Sequence, residues 1–389
     1  MLCLGLMSGT SADGVDAVLA CFSGAEQQPR WQLLNHHHTP YPDDLRGRLI
    51  AAGQGAPLPA SDWLNLAEAI TDVQATAAIA ADPQKEAALV GCHGQTLWHR
   101  PPTPTRRGAS WQMLQAPLLA QLLQRPVVHD FRAADLALGG QGAPLVPRAD
   151  AALLGRIDGW RGLLNLGGIA NLTLIPPCCG PDQSAPVLGW DCGPANSLID
   201  LAVDQFSGGR QSFDRDGAMA VAGSCQEHWV KRWLEEPYFQ DRPPKSTGRE
   251  CFGRDDLQRR LAQMQARSPD DAVATLTGFS AAVVAQDLDR LWTRQGIRPI
   301  ELLVAGGGSR NPVLMAELQR RCRGTAVGLS DRQGIPAEAR EALVFALLAW
   351  WHERKYPGNA PAITGASQEA ILGVRVEPSE AKPPRAQER

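Results

Sequence analysis

The chain has 389 residues, 44% hydrophobic and 20% charged, with a formal net charge of −3. This length suits two domains or one large bilobal unit, and the composition is ordinary for a soluble globular protein. A balance so close to neutral argues against nucleic acid or an anionic membrane surface as the main partner.

The opening MLCLGLMSGT has no basic n-region and reads as a first strand, not a signal peptide. GLMSGTSADGVDAVLACF, Gly5 to Phe22, is strand, glycine turn, strand. A plain hairpin needs only a two-residue turn. This longer one brings hydroxyls, backbone N–H groups and carboxylates together, the equipment of a phosphate and metal site. It is neither a Walker loop nor a dinucleotide fingerprint, because a strand follows it. Gly9, Thr10, Ser11 and Gly14 can turn amides toward an anion. Asp13 or Asp16 can hold Mg2+ directly or through water. The plainer reading is a turn whose aspartates cap the backbone. His36-His37-His38 reads as solvated surface in an exposed loop, with no carboxylate or cysteine partner at suitable spacing.

Ser61 to Ala81 is an amphipathic helix, with Trp63, Leu66, Ile70, Val73 and Ala77 at three-four spacing and Ser61 as its N-cap. A short strand, Ala88 to Cys92, runs into HGQTLWHRP. A helix around Leu118 to Leu123 leads to a strand over Pro126 to Phe131. The glycine-rich LALGGQGAPLVP then reads as a crossing between lobes, with Gly139 to Gly142 as a hinge. Leu163 to Pro176 is again strand, glycine turn, strand, about 160 residues after the first, which suggests a duplicated domain. An exposed loop, Pro177 to Ala185, follows. Next come a strand, a turn at Asp191 to Pro194 and a helix from about Asn196.

Thr275 to Arg294 is amphipathic, with Leu276, Phe279, Val283, Leu291 and Trp292 near one face. Strand Leu302 to Ala305 feeds Gly306-Gly307-Gly308, and Asn311 opens a helix. The helix Ala337 to Arg354 contains the most apolar run, too short for a membrane span of ~18 residues. The tail after Glu377 is Pro- and charge-rich and reads as disordered. Nine cysteines with no CxxC argue for reduced thiols in the cytoplasm, not a disulfide framework or zinc site. Strands alternating with helices give an α/β fold.

The order of three glycine turns resembles the actin, sugar-kinase and Hsp70 superfamily. That resemblance implies two ribonuclease-H-like lobes of the actin-like ATPase fold, with ATP in the interlobe cleft. The closer resemblance is to the anhydro-N-acetylmuramic acid kinase family. It is carried by GLMSGTSADGVD, CHGQTLWHRP, DFRAADLALGGQGAPLVP, NLGGIANLT, WDCGPANSLID, KSTGRECF, VAGGGSRN, REALVFALLAW and ITGAS, spanning residues 5 to 367. The expected lobes are 1–132 completed by about 355–378, and 133–354, with 379–389 as the tail.

The resemblance implies that water opens the 1,6-anhydro bridge of the amino sugar and ATP phosphorylates the freed O6. Asp191 falls where the family's catalytic aspartate stands and would deprotonate the water; the rival role is a helix cap. Glu341, in the pair Glu341-Ala342, would orient that water; the rival is a solvent-facing helix residue. The nucleotide-binding set is Gly9, Thr10, Ser11, Ala12, Asp13, Gly14, Val15, Asp16, Gly167, Gly168, Gly306, Gly307, Gly308 and Asn311. His93 and Gln95 would contact the sugar or shape its site. Arg132 would bind the lactyl carboxylate bidentately, a structural ion pair being the alternative. ATP and Mg2+ as cofactors and a homodimer are further implications. The chain departs from the family at His129, at Cys192, where threonine is usual, at Ala195, where glycine is common, and in GIPAEAR. A kinase of another sugar is the nearest alternative. A nucleotide-switched interaction protein of the actin or chaperone sort is a more distant one.

Overall fold

The computed structural model describes residues 1–9, 12–155, 158–243, 245, 247–248, 251–265, 268–336 and 338–379. Thr10 and Ser11 lie outside the described residues, as does the tail from 380. In chain order the strands are β1 (Leu2–Ser8), β2 (Gly14–Ala25), β3 (Gln28–Pro40), β4 (Leu89–Arg100), β5 (Ala109–Met113), β6 (Val127–His129), β7 (Arg161–Leu166), β8 (Ile169–Ile175), β9 (Leu188–Pro194), β10 (Glu301–Ala305), β11 (Ala326–Leu329) and β12 (Val374–Val376).

Two compact units emerge. One is Met1–Leu153 with the chain from Ala339, and the other is Leu154–Glu338. In the first, β1, β2 and β3 form an antiparallel meander, β4 lies parallel to β1, and β6 lies parallel to β4. In the second, β7, β8 and β9 form the meander, and β10 and β11 continue it in parallel. The sheet orders, β3-β2-β1-β4-β6 and β9-β8-β7-β10-β11, are therefore the same pattern twice. β12 and β5 are additions to the first sheet. The central strands β1 and β7 are nearly continuous apolar runs because both faces are covered.

The contacts shift both expected boundaries. Helix Arg340–Glu353 belongs with the first unit, not the second. It is buried almost all round, from Ala342 to Trp351, and packs on β1 and β4. Gly5 and Gly91 admit its backbone. A Cβ on Gly5 would stand 2.0 Å from the Ala342 carbonyl oxygen, and one on Gly91 would stand 2.1 Å from that of Phe345. The run Gly139 to Gly142 lies inside the first unit and is tied down. The Gly142 N–H donates to Asp135 at 2.8 Å, and the Gln141 N–H donates to the Thr364 carbonyl at 2.8 Å. A hinge there is not what the hydrogen bonds describe.

Several local readings change too. HGQTLWHR, His93 to Arg100, is part of the long strand β4, not a loop after it. Asp191 to Pro194 continues β9, so Asp191 sits within a strand. Ser61 lies inside helix Ala60–Ala81, whose N-cap is Pro59. The three histidines lie on edge strand β3, where the register sets His38 opposite Asp16. In the second unit, helix Pro269–Gln295 is capped by Ser268 Oγ on the Asp271 N–H and buries Leu276, Phe279 and Val283. Trp292 falls off that face and is half exposed.

Candidate active site

In the second unit, Asp191 projects from β9 toward its cross-strand partner Asn171 on β8. Asn171 Nδ2 donates to Asp191 Oδ1 at 2.8 Å, and the Thr247 N–H donates to Oδ2 at 3.0 Å. Its backbone is held as well. The Asp191 N–H donates to the Lys245 carbonyl at 3.0 Å, and the Tyr238 hydroxyl donates to the Asp191 carbonyl at 2.7 Å. A partly buried carboxylate so fixed serves a base better than a cap; helix Ser197–Ser207 starts at Asn196 without it.

Strand alternation sends the flanking Trp190 and Cys192 to the opposite face. There Trp190 Nε1 donates to Asp287 Oδ2 at 2.8 Å, and Lys245 Nζ meets Asp287 Oδ1 at 3.1 Å. Cys192 is fully buried, and burial together with the Asp287 charge pushes its thiol well up. The cysteine-for-threonine departure thus concerns core packing beneath Asp191, not the surface that Asp191 faces.

The two glycine runs of this unit meet at one place. At the β7–β8 turn, the Gly168 carbonyl accepts from Ala195 at 2.9 Å and Ser197 at 3.1 Å, and the Gly167 carbonyl accepts from Asn196 at 3.1 Å. Asn196 Nδ2 adds bonds to the Leu166 and Gly167 carbonyls at 2.9 and 2.8 Å. Gly306 adopts φ +83°, and a Cβ there would stand 2.5 Å from Asn165 Oδ1. A Cβ on Gly308 would stand 2.7 Å from Leu166 Cβ and 2.9 Å from Asn196 Nδ2. A Cβ on Gly307 would meet nothing within 4 Å. Two glycines of the triplet are thus needed for close packing, and the middle one leaves a bare, open backbone wall. Asn311 caps helix Pro312–Arg321, its Oδ1 accepting from Val313 and Leu314 at 3.0 and 3.2 Å.

In the first unit, the turn after β1 is braced from β4. Ser8 Oγ lies 2.9 Å from the Gly14 carbonyl oxygen and 2.5 Å from Gln95 Oε1, its single O–H donating to one of them at a time, and Gln95 Nε2 donates to the Gly9 carbonyl at 3.1 Å. Ala12 holds φ 49° with its N–H on the Gly9 carbonyl at 3.2 Å. Ala12, Gly14 and Val15 are buried, while Asp13 is exposed. Asp16 Oδ1 lies 3.1 Å from both His36 Nε2 and His38 Nδ1, so the histidine tract does have a carboxylate partner. Sequence spacing could not show it, because the partner comes from the neighbouring strand.

His93 and Gln95 are both buried. Burial and then the nearby Arg132 charge push the His93 imidazole down to about 3, so it is neutral. Arg132 NH1 donates to the Gly142 carbonyl at 2.7 Å, and its NH2 lies 2.9 Å from His93 Nε2. Its Nε is buried with no partner among the described residues, and desolvation lowers the guanidinium to about 10. Glu341 stands in the first turn of helix Arg340–Glu353, partly buried. Burial raises its pKa, Arg340 and Arg132 pull it back, and Asp150 and Asp16 push it up again. Beside it, Arg340 Nε donates to the buried Asp150 at 3.0 Å. Glu341, Arg132, His93 and Asp16 are therefore electrostatically linked within the first unit, and Gln95 joins them only through the Ser8 turn.

A family model for anhydro-N-acetylmuramic acid kinase matches residues 1–378. The chain belongs to that family. An anhydro-N-acetylmuramic acid kinase of Parasynechococcus marenigrum (strain WH8102) is 72% identical over 97% of this chain and all of its own. One from Synechococcus sp. (strain CC9605) is 70% identical over the same shares. Among solved structures, component A of the (R)-2-hydroxyglutaryl-CoA dehydratase of Acidaminococcus fermentans covers 91% of this chain and 100% of its own, at 12% identity and TM-score 0.45. It is too distant to bear on the site.

Sequence reasoning missed Asn196, Ser8, Tyr238 and the Lys245–Asp287 pair. Asn196 carried a signal, since it closes the DCGPAN run of the family. Ser8 and Lys245 likewise lie in GLMSGTSADGVD and KSTGRECF, whereas Tyr238 and Asp287 act through contacts between distant segments and left none.

Proposed function

We propose that this chain is the ATP-dependent kinase that opens the bridge of 1,6-anhydro-N-acetylmuramic acid with water and phosphorylates O6, giving N-acetylmuramic acid 6-phosphate for cell-wall sugar recycling. The observation that carries the reading is Asp191, oriented through both carboxylate oxygens inside a chain of this family. Asp191 accepts a proton from water as the water oxygen bonds to C1. The C1–O6 bond breaks and its electron pair stays on O6, which attacks the γ-phosphorus of ATP and displaces ADP.

The glycine turns suit the nucleotide because they present amides and bare backbone. The open Gly307 and the Gly167–Gly168 turn serve in the second unit, and Gly9 to Asp16 serve in the first. In the first of these segments the buried Ala12 and Val15 contribute backbone only, and Asn311 contributes by fixing the helix after Gly308. Mg2+, held at Asp13 or Asp16 directly or through water, supplies charge neutralisation to the phosphates when bound. Arg132 is an enclosed cation with an unpartnered Nε and no carboxylate within 4 Å among the described residues, which suits the sugar's lactyl carboxylate. Neutral His93 and Gln95 shape the pocket rather than shuttle protons, and Glu341 orients the water. No described helix is long and apolar enough to cross a membrane, and we place the enzyme in the cytoplasm as a homodimer.

The test is ATP turnover with and without 1,6-anhydro-N-acetylmuramic acid, run in oxygen-18 water. Sugar-dependent turnover with label at C1 of the product is expected. Turnover with unlabelled product would make the chain a plain kinase, and sugar-independent turnover would favour a nucleotide switch.

A further inference from the structure

A second cluster of reactive side chains lies at the other end of strand β7 from the Gly167–Gly168 turn. The register sets Arg161, which begins β7, opposite Ile175, which ends β8. Three residues outward from each of these stand Asp158 and Cys178, so strand pairing alone brings them together. Cys178 and its neighbour Cys179 are free, exposed thiols. Cys178 Sγ lies 3.8 Å and Cys179 Sγ lies 3.4 Å from Asp158 Oδ1. Among the described residues these three form the one group of at least three His, Cys, Asp or Glu side chains whose donor atoms all fall within 4.8 Å of one another.

Against the expectation from the missing CxxC, we propose that Asp158, Cys178 and Cys179 form a binding site for a thiophilic divalent cation of the Zn2+ type, separate from the kinase centre, the third ligand coming from just before the paired strand β7. Zn2+ bonds sulfur at about 2.3 Å and carboxylate oxygen at about 2.0–2.2 Å, so a tetrahedral ion needs sulfur and oxygen about 3.5–3.7 Å apart. The observed 3.4 and 3.8 Å bracket that span, and small movements of an exposed loop close it. Two thiolates select a soft or borderline ion over Mg2+ or Ca2+, which take oxygen ligands. Three protein ligands leave one tetrahedral position to water. Binding is a simple exchange: the two thiols release their protons to solvent as the metal–sulfur bonds form.

The experiment uses the full chain, reduced and stripped of metal. Zn2+ is titrated against a chromophoric chelator, and Co2+ is added to read the near-ultraviolet thiolate-to-metal charge-transfer band. A single tight Zn2+ and a thiolate band are expected in the wild type. Cys178→Ser and Cys179→Ser should each shrink the band and weaken Zn2+ by at least about tenfold, and Asp158→Asn should weaken Zn2+ by a similar factor while keeping the band. Cys251→Ser, another exposed thiol of the same unit, and His38→Ala should change neither reading. Because the three ligands are exposed, the melting temperatures of these variants without metal should match the wild type. Absence of uptake, a band that survives the double Cys178→Ser/Cys179→Ser change, or loss of binding in His38→Ala would each overturn the proposal.

Discussion

Substituting Gly91 tests the packing that joins helix Arg340–Glu353 to the first sheet. An alanine Cβ there would stand 2.1 Å from the Phe345 carbonyl oxygen and 2.8 Å from Ala349 Cβ. Both obstacles belong to one rigid helix, so no side-chain rotation relieves them. The helix must retreat by about 1 Å before the contact is tolerable, opening gaps along its other contacts. Overpacking of this kind costs about 1–3 kcal/mol. For a unit of this size each kcal/mol lowers Tm by about 2–4 °C, so Gly91→Ala should melt about 2–12 °C early. Gly47 is the control. It lies exposed inside helix Asp43–Gly53 with nothing within 4 Å of a Cβ. Gly47→Ala should raise stability by about 0.5–1 kcal/mol through the unfolded chain. Differential scanning calorimetry of both variants reads the opposite signs. Because Glu341 rides on the displaced helix, Gly91→Ala should also lower kcat, whereas Gly47→Ala should not. A Gly91→Ala protein that melts at or above the wild type would refute the packing argument.

His93 gives a pH signature. Held near 3 in the fold, it stays neutral while the unfolded chain protonates it below about 6.5. The unfolded state then binds the extra proton, so stability falls by up to about 1.4 kcal/mol per pH unit as pH drops from 6.5 toward 3. Urea unfolding of wild type and His93→Gln at pH 7 and pH 5 should show the variant losing less on acidification; equal losses would contradict it. The buried Arg340–Asp150 pair predicts a loss of about 3–5 kcal/mol in Arg340→Met by chemical denaturation, much of it recovered when Asp150→Leu is added. No recovery in the double variant would show that the charge left behind is not what costs stability. Asn171→Asp sets a second carboxylate against Asp191, so the acid limb of the pH–rate profile should move to higher pH. An unmoved limb would remove Asn171 from its positioning role.

The duplicated meander was legible because a glycine turn between two apolar runs is a local pattern, present at Gly9 and again at Gly167. The apolar run Ala342 to Trp351 was legible as a buried helix for the same reason. Its allegiance to the first unit was not, since that depends on Gly5 and Gly91 admitting its backbone across more than two hundred residues of chain. Edge strand β3 was missed because its thirteen residues mix polar and apolar side chains without clean alternation. The same omission hid the contact of Asp16 with His36 and His38. Asp191 could be named from its motif, but not the means by which it is held. Asn171 reaches it through strand register and Thr247 through a loop more than fifty residues away. Asp158 and the vicinal cysteines likewise meet only once β7 and β8 are paired.

The most direct measurement is the turnover of Asp191→Asn with ATP and the anhydro sugar, beside its melting curve. The asparagine keeps the size of the side chain but cannot take the proton from water. The account predicts that kcat falls by about 10²–10⁴-fold, as for loss of a general base, while Tm and the KM for ATP stay near the wild type. A folded Asp191→Asn protein with wild-type turnover would contradict it.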